Sequence, residues 1–278
     1  MNLDTRQQLS PSVGGKHAAE MESDRRRRLM LTICVLVLAT LALSSVAAGP
    51  GVLPGDVWIA RQVQRVPAGV ANAIAGAVYW LGSVPALAGG ALLIGGALAL
   101  RHRWVEAVLV ISTVPVRGVN PILKRLLNSP RPPEELVSVT EQARGMGFPS
   151  GHSMGVALLY GLSAFLLSRL VSQASIRVVM WLIAVGMIGA TGFGRIYTGA
   201  HWPSDVLGGY LWASIVALVM LGIAKNAIPP APTILAGKAS PARTGGVSSA
   251  GYGYDDEVEG EPLRGRQGDQ PVNRGRLA

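Results

Sequence analysis

Three short stretches carry residue types suited to one chemistry. The first, "KRLLNSPRP", places Lys124 and Arg131 on either side of six residues. Pro130 and Pro132 forbid a helix from continuing there, so the chain turns, and a turn can bring both cations to one point. The second, "PSGH", runs from Pro149 to His152. Ser150 suits a helix N-cap, and Gly151 lets backbone approach a ligand closely. Unpaired N–H groups at a helix start favour an anion. The third, "GRIYTGAHWPSD", holds Arg195, His201 and Asp205. Pro203 suits the first turn of a helix, which puts Asp205 about one turn beyond His201, close enough to orient its ring.

Together these supply three cations, an anion-binding helix start, two histidines and a carboxylate. That inventory fits phosphoryl transfer without a metal. Arg and Lys neutralise the oxygens of the transferring group, one histidine attacks phosphorus and the other protonates the leaving oxygen. A carboxylate fixes the tautomer of the attacking ring. A metal hydrolase would call for clustered carboxylates or histidines, and these loops offer few. A single cysteine, Cys34, precludes a disulfide within the chain.

The elements that must position these groups are apolar. Of 278 residues, 49% are hydrophobic and 15% charged, well under the roughly 25% of soluble domains. Six runs are each close to the ~20 residues that a bilayer requires: about 29–48, 80–100, 104–127, 153–170, 177–195 and 204–224. The expected fold is all-α, a six-span membrane bundle over residues 29–226 with its motifs within 117–210. Residues 54–79 read as an amphipathic helix on the membrane surface. The tails, 1–28 and 227–278, read as disordered and cytoplasmic. Thirteen basic residues face six acidic ones between 29 and 228, so +7 of the net charge of +9 lies in the apolar core rather than in a tail built for nucleic acid. With Arg25–Arg28 inside, the loops 128–152 and 196–203 share the outer face, and both termini are inside. Arg117, deep in the third span, shares one helix face with Asn120 and Lys124. That stripe is expected to point into the bundle and support Lys124. The loop 133–147 is expected to cover the pocket.

K-x6-RP, PSGH and R-x5-H-x3-D, in this order across six spans, resemble the type 2 phosphatidic acid phosphatase (PAP2) family, whose superfamily includes vanadium haloperoxidases. The resemblance covers about residues 50–225. It implies His201 as nucleophile, Asp205 as its partner and His152 as general acid. Lys124, Arg131, Ser150, Gly151 and Arg195 would bind the phosphate, with no metal and no cofactor. The third motif often begins with Ser before the Arg; here Gly194 stands in its place. The implied activity is hydrolysis of a phosphomonoester or pyrophosphate on a membrane lipid, such as phosphatidic acid, phosphatidylglycerophosphate or undecaprenyl diphosphate, at the outer face of the cell membrane. Rival readings are a lipid phosphotransferase, a vanadate-dependent haloperoxidase and a non-enzymatic lipid transporter.

Overall fold

The computed structural model describes residues 13–49 and 51–228. Every regular element among them is a helix: α1 (Val13–Ala47), α2 (Asp56–Val63), α3 (Ala68–Leu81), α4 (Val84–Leu100), α5 (Trp104–Val116), α6 (Val119–Leu127), α7 (Gly151–Ser168, with a π turn at Ala157–Gly161), α8 (Ala174–Tyr197) and α9 (Pro203–Ala224).

Among the described residues five segments are long and apolar enough to cross a bilayer: Glu20–Ala47, Trp104–Leu127, α7, α8 and α9. A sixth span forms if α3 and α4, which meet at a 66° bend, count as one. Large apolar side chains on α1, α4, α8 and α9 point outward, among them Leu38, Leu93, Leu182 and Ile223. Exposed apolar faces on this scale belong in lipid. The interior is a core of Leu87, Val110, Met154, Leu158, Leu166 and Met220. Phe148 is fully buried, and Gly209 lets α9 approach the PSGH turn: a Cβ there would lie 2.8 Å from the Ser150 carbonyl.

Three expectations are corrected. The N-terminal tail is not disordered throughout, because the helix already runs from Val13. Glu22 pairs with Arg26 at 3.2 Å and Asp24 with Arg28 at 3.7 Å, and acid-to-base pairs at i, i+4 support a helix. Residues 1–12 and the tail from 229 onward lie outside the described residues. The segment 54–79 is two helices rather than one, and α3 is apolar and packs its Ala71, Ala75, Val78 face on α8. The second span does not start at residue 80. Ser83 caps α4, its hydroxyl accepting from Ala86 N at 3.4 Å, with Pro85 in the first turn.

Candidate active site

The motif residues converge where three chain segments meet. α6 ends at Leu127, capped by Asn128 at φ 47°, and the chain then leaves through the prolines. The loop 129–150 returns to start α7, and the loop 198–202 joins α8 to α9. Ser150 N donates to the Asp205 carbonyl at 2.9 Å, and Gly147 N to the Ser129 carbonyl at 2.9 Å. These bonds tie the first, second and third motifs together.

His201 is 4% exposed and Asp205 1%. His201 Nδ1 lies 3.2 Å from Asp205 Oδ2, which also accepts from Trp202 N at 3.0 Å. A carboxylate only accepts, so Nδ1 carries the hydrogen and Nε2 keeps its lone pair. That nitrogen faces Arg131, whose Nη1 is 3.3 Å away. Burial first, then the charges of Arg131, Lys124 and Arg195, hold the imidazole well below its ordinary value of 6.5. The ring is therefore neutral near pH 7, and its Nε2 lone pair accepts from Arg131. Asp205 Oδ1 is buried and has no partner among the described residues.

The cations are satisfied by the loop above them. Lys124 Nζ donates to the carbonyls of Met146 and, at 2.9 Å, Gly147. Arg131 donates to Gly145 O at 2.7 Å, Arg144 O at 3.1 Å and Ala200 O at 2.5 Å. Arg195, 1% exposed, forks onto both oxygens of Glu141. A bidentate carboxylate is the geometry that a phosphate would replace. The loop is pinned from α2: Arg61 Nε donates to Leu136 O at 2.9 Å, and Gln64 Nε2 to Ser138 O at 2.6 Å and Tyr197 O at 3.1 Å.

His152 opens α7 on the other side. It is half-buried, and its ring stacks on Tyr79 with centroids 5.8 Å apart at 22°. The Arg195 guanidinium lies 5.5 Å from the centroid of the same Tyr79 ring. Gly82, at the α3–α4 bend, makes room for the imidazole, because a Cβ there would come within 2.6 Å of it. Ser150 caps α7: its Oγ is 3.5 Å from Ser153 N and accepts from Ser153 Oγ at 3.1 Å, and the residue is fully buried. Its hydroxyl thus serves the cap in this structure.

Among the described residues no hydrogen bond joins Arg117 or Asn120 to Lys124. Arg117 Nε donates to Gly151 O at 3.2 Å and Asn120 Nδ2 to Pro149 O at 3.1 Å. They hold the PSGH turn instead. Two residues escaped the sequence reading. Asp56 on α2 is 4% exposed and accepts from Ser204 N at 2.9 Å and Ser204 Oγ at 2.6 Å, fastening the first turn of α9. Burial pushes its carboxyl up, against the bonds from Ser204. It is the one acidic residue between Asp24 and Glu106, a legible signal. Trp202 is 3% exposed and packs with Ala60 and Val137. Among the described residues no group of three His, Cys, Asp or Glu is placed to hold a metal.

The PAP2 superfamily profile matches residues 102–229. Over 128 residues the chain is 28% identical to phosphatidylglycerophosphatase B of Bacillus subtilis, a match covering 46% of this chain and 62% of that protein. It is 29% identical over 134 residues to lipid A 1-phosphatase of Rhizobium etli, covering 45% and 53%. The chain thus spans between about half and three fifths of the length of these relatives. The fold is that of the crystal structure of a transmembrane PAP2 type phosphatidylglycerolphosphate phosphatase from Bacillus subtilis. The TM-score is 0.61 at 24% identity, over 69% of this chain and 96% of that one. Motif order, matched profile and shared fold agree: this multi-pass membrane protein is similar to the PAP2 superfamily over residues 102–229.

Proposed function

We propose that the protein hydrolyses a phosphomonoester or diphosphate on a membrane lipid, through a phosphohistidine on His201. One observation carries the reading: Asp205 holds one nitrogen of the buried His201 ring, and the other nitrogen lies 3.3 Å from Arg131. In the first step His201 Nε2 attacks phosphorus and the bond to the lipid oxygen breaks. His152 delivers a proton to that leaving oxygen. In the second step water attacks the phosphorus, His152 takes a proton from it, and the P–N bond breaks to release orthophosphate. Lys124, Arg131, Arg195 and the N–H groups of the PSGH turn stabilise the charge on the transferring oxygens. Glu141 and the carbonyls of residues 144–147 yield these cations as the phosphate arrives.

On this reading the substrate is a lipid, because the motif residues gather at the ends of helices long and apolar enough to span a bilayer, where a lipid phosphate sits. Phosphatidylglycerophosphate, lipid A 1-phosphate, phosphatidic acid and undecaprenyl diphosphate all present such a group. We place the site on the extracytoplasmic face, with Arg25–Arg28 inside, and assign catalysis to residues 29–226. Phosphate release from the purified full-length protein, with a chelator present, tests the reading on phosphatidic acid, phosphatidylglycerophosphate and a polyprenyl diphosphate. Turnover of at least one is expected; release from none of them, or release only on adding a metal, overturns it.

A further inference from the structure

Arg117 lies in the bilayer-spanning segment Trp104–Leu127, at the break between α5 and α6. Proline shapes that break: Pro115 sits inside the last turn of α5, and Gly118 begins α6. Arg195 is neutralised by Glu141 and Arg103 by Glu106. Arg117 forms no ion pair with a carboxylate among the described residues; its Nε bond to Gly151 O leaves the positive charge standing. A cation kept at that depth without a counter-charge is expensive, and such residues mark functional sites.

Beside it opens a cavity of about 250 Å³, lined by Val84, Val114, Arg117, Gly118, Asn120 and Pro121. That volume equals about eight waters at about 30 Å³ each. It has room for a phosphate-sized group and part of the chain that carries it. Two walls are shared with the reaction site. Arg117 and Asn120 hold the PSGH turn that delivers His152, and Val84 follows the α3–α4 bend where Gly82 touches the His152 ring. Val84, Val114 and Pro121 make the remaining lining apolar.

We propose that this cavity is a second anion subsite, taking an additional phosphate or phosphodiester of the lipid whose terminal phosphate meets His201. The assignment rests on the phosphatase reading above. A planar guanidinium without a carboxylate partner matches a phosphodiester well. Apolar walls suit the glycerol or hydrocarbon next to it. Lipids with one phosphate would leave the subsite empty, and lipids with two anionic groups would gain from it.

The test compares kcat/KM on phosphatidic acid and on phosphatidylglycerophosphate, in mixed micelles of a neutral detergent. The proteins are the full-length wild type, Arg117→Gln, Arg117→Lys and Val84→Trp. Arg117→Gln is expected to lower the rate constant for the two-anion lipid about tenfold more than for phosphatidic acid, chiefly through KM. Arg117→Lys should recover part of that selectivity. Val84→Trp, which fills the cavity and leaves the Arg117–Gly151 bond in place, should show the same selective loss. Equal losses on both lipids, or none, overturn the proposal and leave Arg117 as a brace for the PSGH turn. Phosphatidylglycerol that stimulates phosphatidic acid hydrolysis by the wild type but not by Arg117→Gln would put a separate bilayer lipid in the cavity and also overturn it. Failure of the phosphatase reading is distinct: the wild type would then turn over neither of these lipids nor a polyprenyl diphosphate.

Discussion

On the proposed mechanism His201 and His152 serve one reaction, and the structure holds them in opposite ways. His201 is buried, with Asp205 on one ring nitrogen and Arg131 near the other. His152 is half-buried and rests the face of its ring on Tyr79, above a glycine that leaves it room. On the proposed mechanism the difference follows from the two tasks. A nucleophile must present one lone pair along one line, so a fixed ring lowers the barrier. The other histidine must first reach the leaving oxygen and later a water, which asks for a ring that is positioned by stacking and still able to adjust.

The largest effects should separate the two sides. His201→Ala should abolish turnover, by about 10⁶-fold as when a nucleophile is removed, whereas His152→Ala should cost about 10³-fold, in the range of a lost general acid. Measured kcat values in which His152→Ala is the more damaging would break the comparison. Asp205→Asn should lower kcat by about 10⁴-fold, because the amide no longer selects the tautomer with Nε2 free. A loss under tenfold would reduce Asp205 to a helix cap that accepts from Trp202 N.

The pH profile sharpens the same contrast. His201 is held below its ordinary 6.5 by burial and by Arg131, Lys124 and Arg195. Its lone pair therefore survives to lower pH, and the acid limb of kcat/KM that belongs to it should lie below 6.5. Activity is lost as pH falls through the depressed value. Arg131→Gln removes the nearest cation, so that limb should move up; a limb that moves down would contradict the assignment. Tyr79→Ala should give the smallest effect, a loss within about tenfold, since an aromatic stack is worth about 0.5–1.5 kcal/mol. It should fall on the rate through His152 and leave the His201 limb where it was.

The two sides also differed in how legible they were. His201, Asp205, Lys124, Arg131 and Arg195 stand out because a charged or titratable group is costly in an apolar frame, and their spacing falls at the ends of spans. The six apolar runs were equally plain. Partnerships across long separations were not. Asp56 meets Ser204 from 148 positions away, and Glu141 meets Arg195 from 54. No local pattern encodes either. The α3–α4 bend that frames His152 was readable only through Ser83 and Pro85, a cap and a first-turn proline inside what otherwise scans as a continuous apolar stretch. The stripe of Arg117, Asn120 and Lys124 was seen, but helical spacing says which residues share a face and not which loop lies against it. The first two hold the PSGH turn, while Lys124 reaches the carbonyls of Met146 and Gly147.

The most direct measurement is to quench the full-length protein during turnover of a lipid labelled in its terminal phosphate, and then to locate the label. The account predicts a phosphoryl group on His201, stable in base, lost in acid and absent from His201→Ala. Label on another residue, or a His201→Ala protein that still releases phosphate, would contradict it.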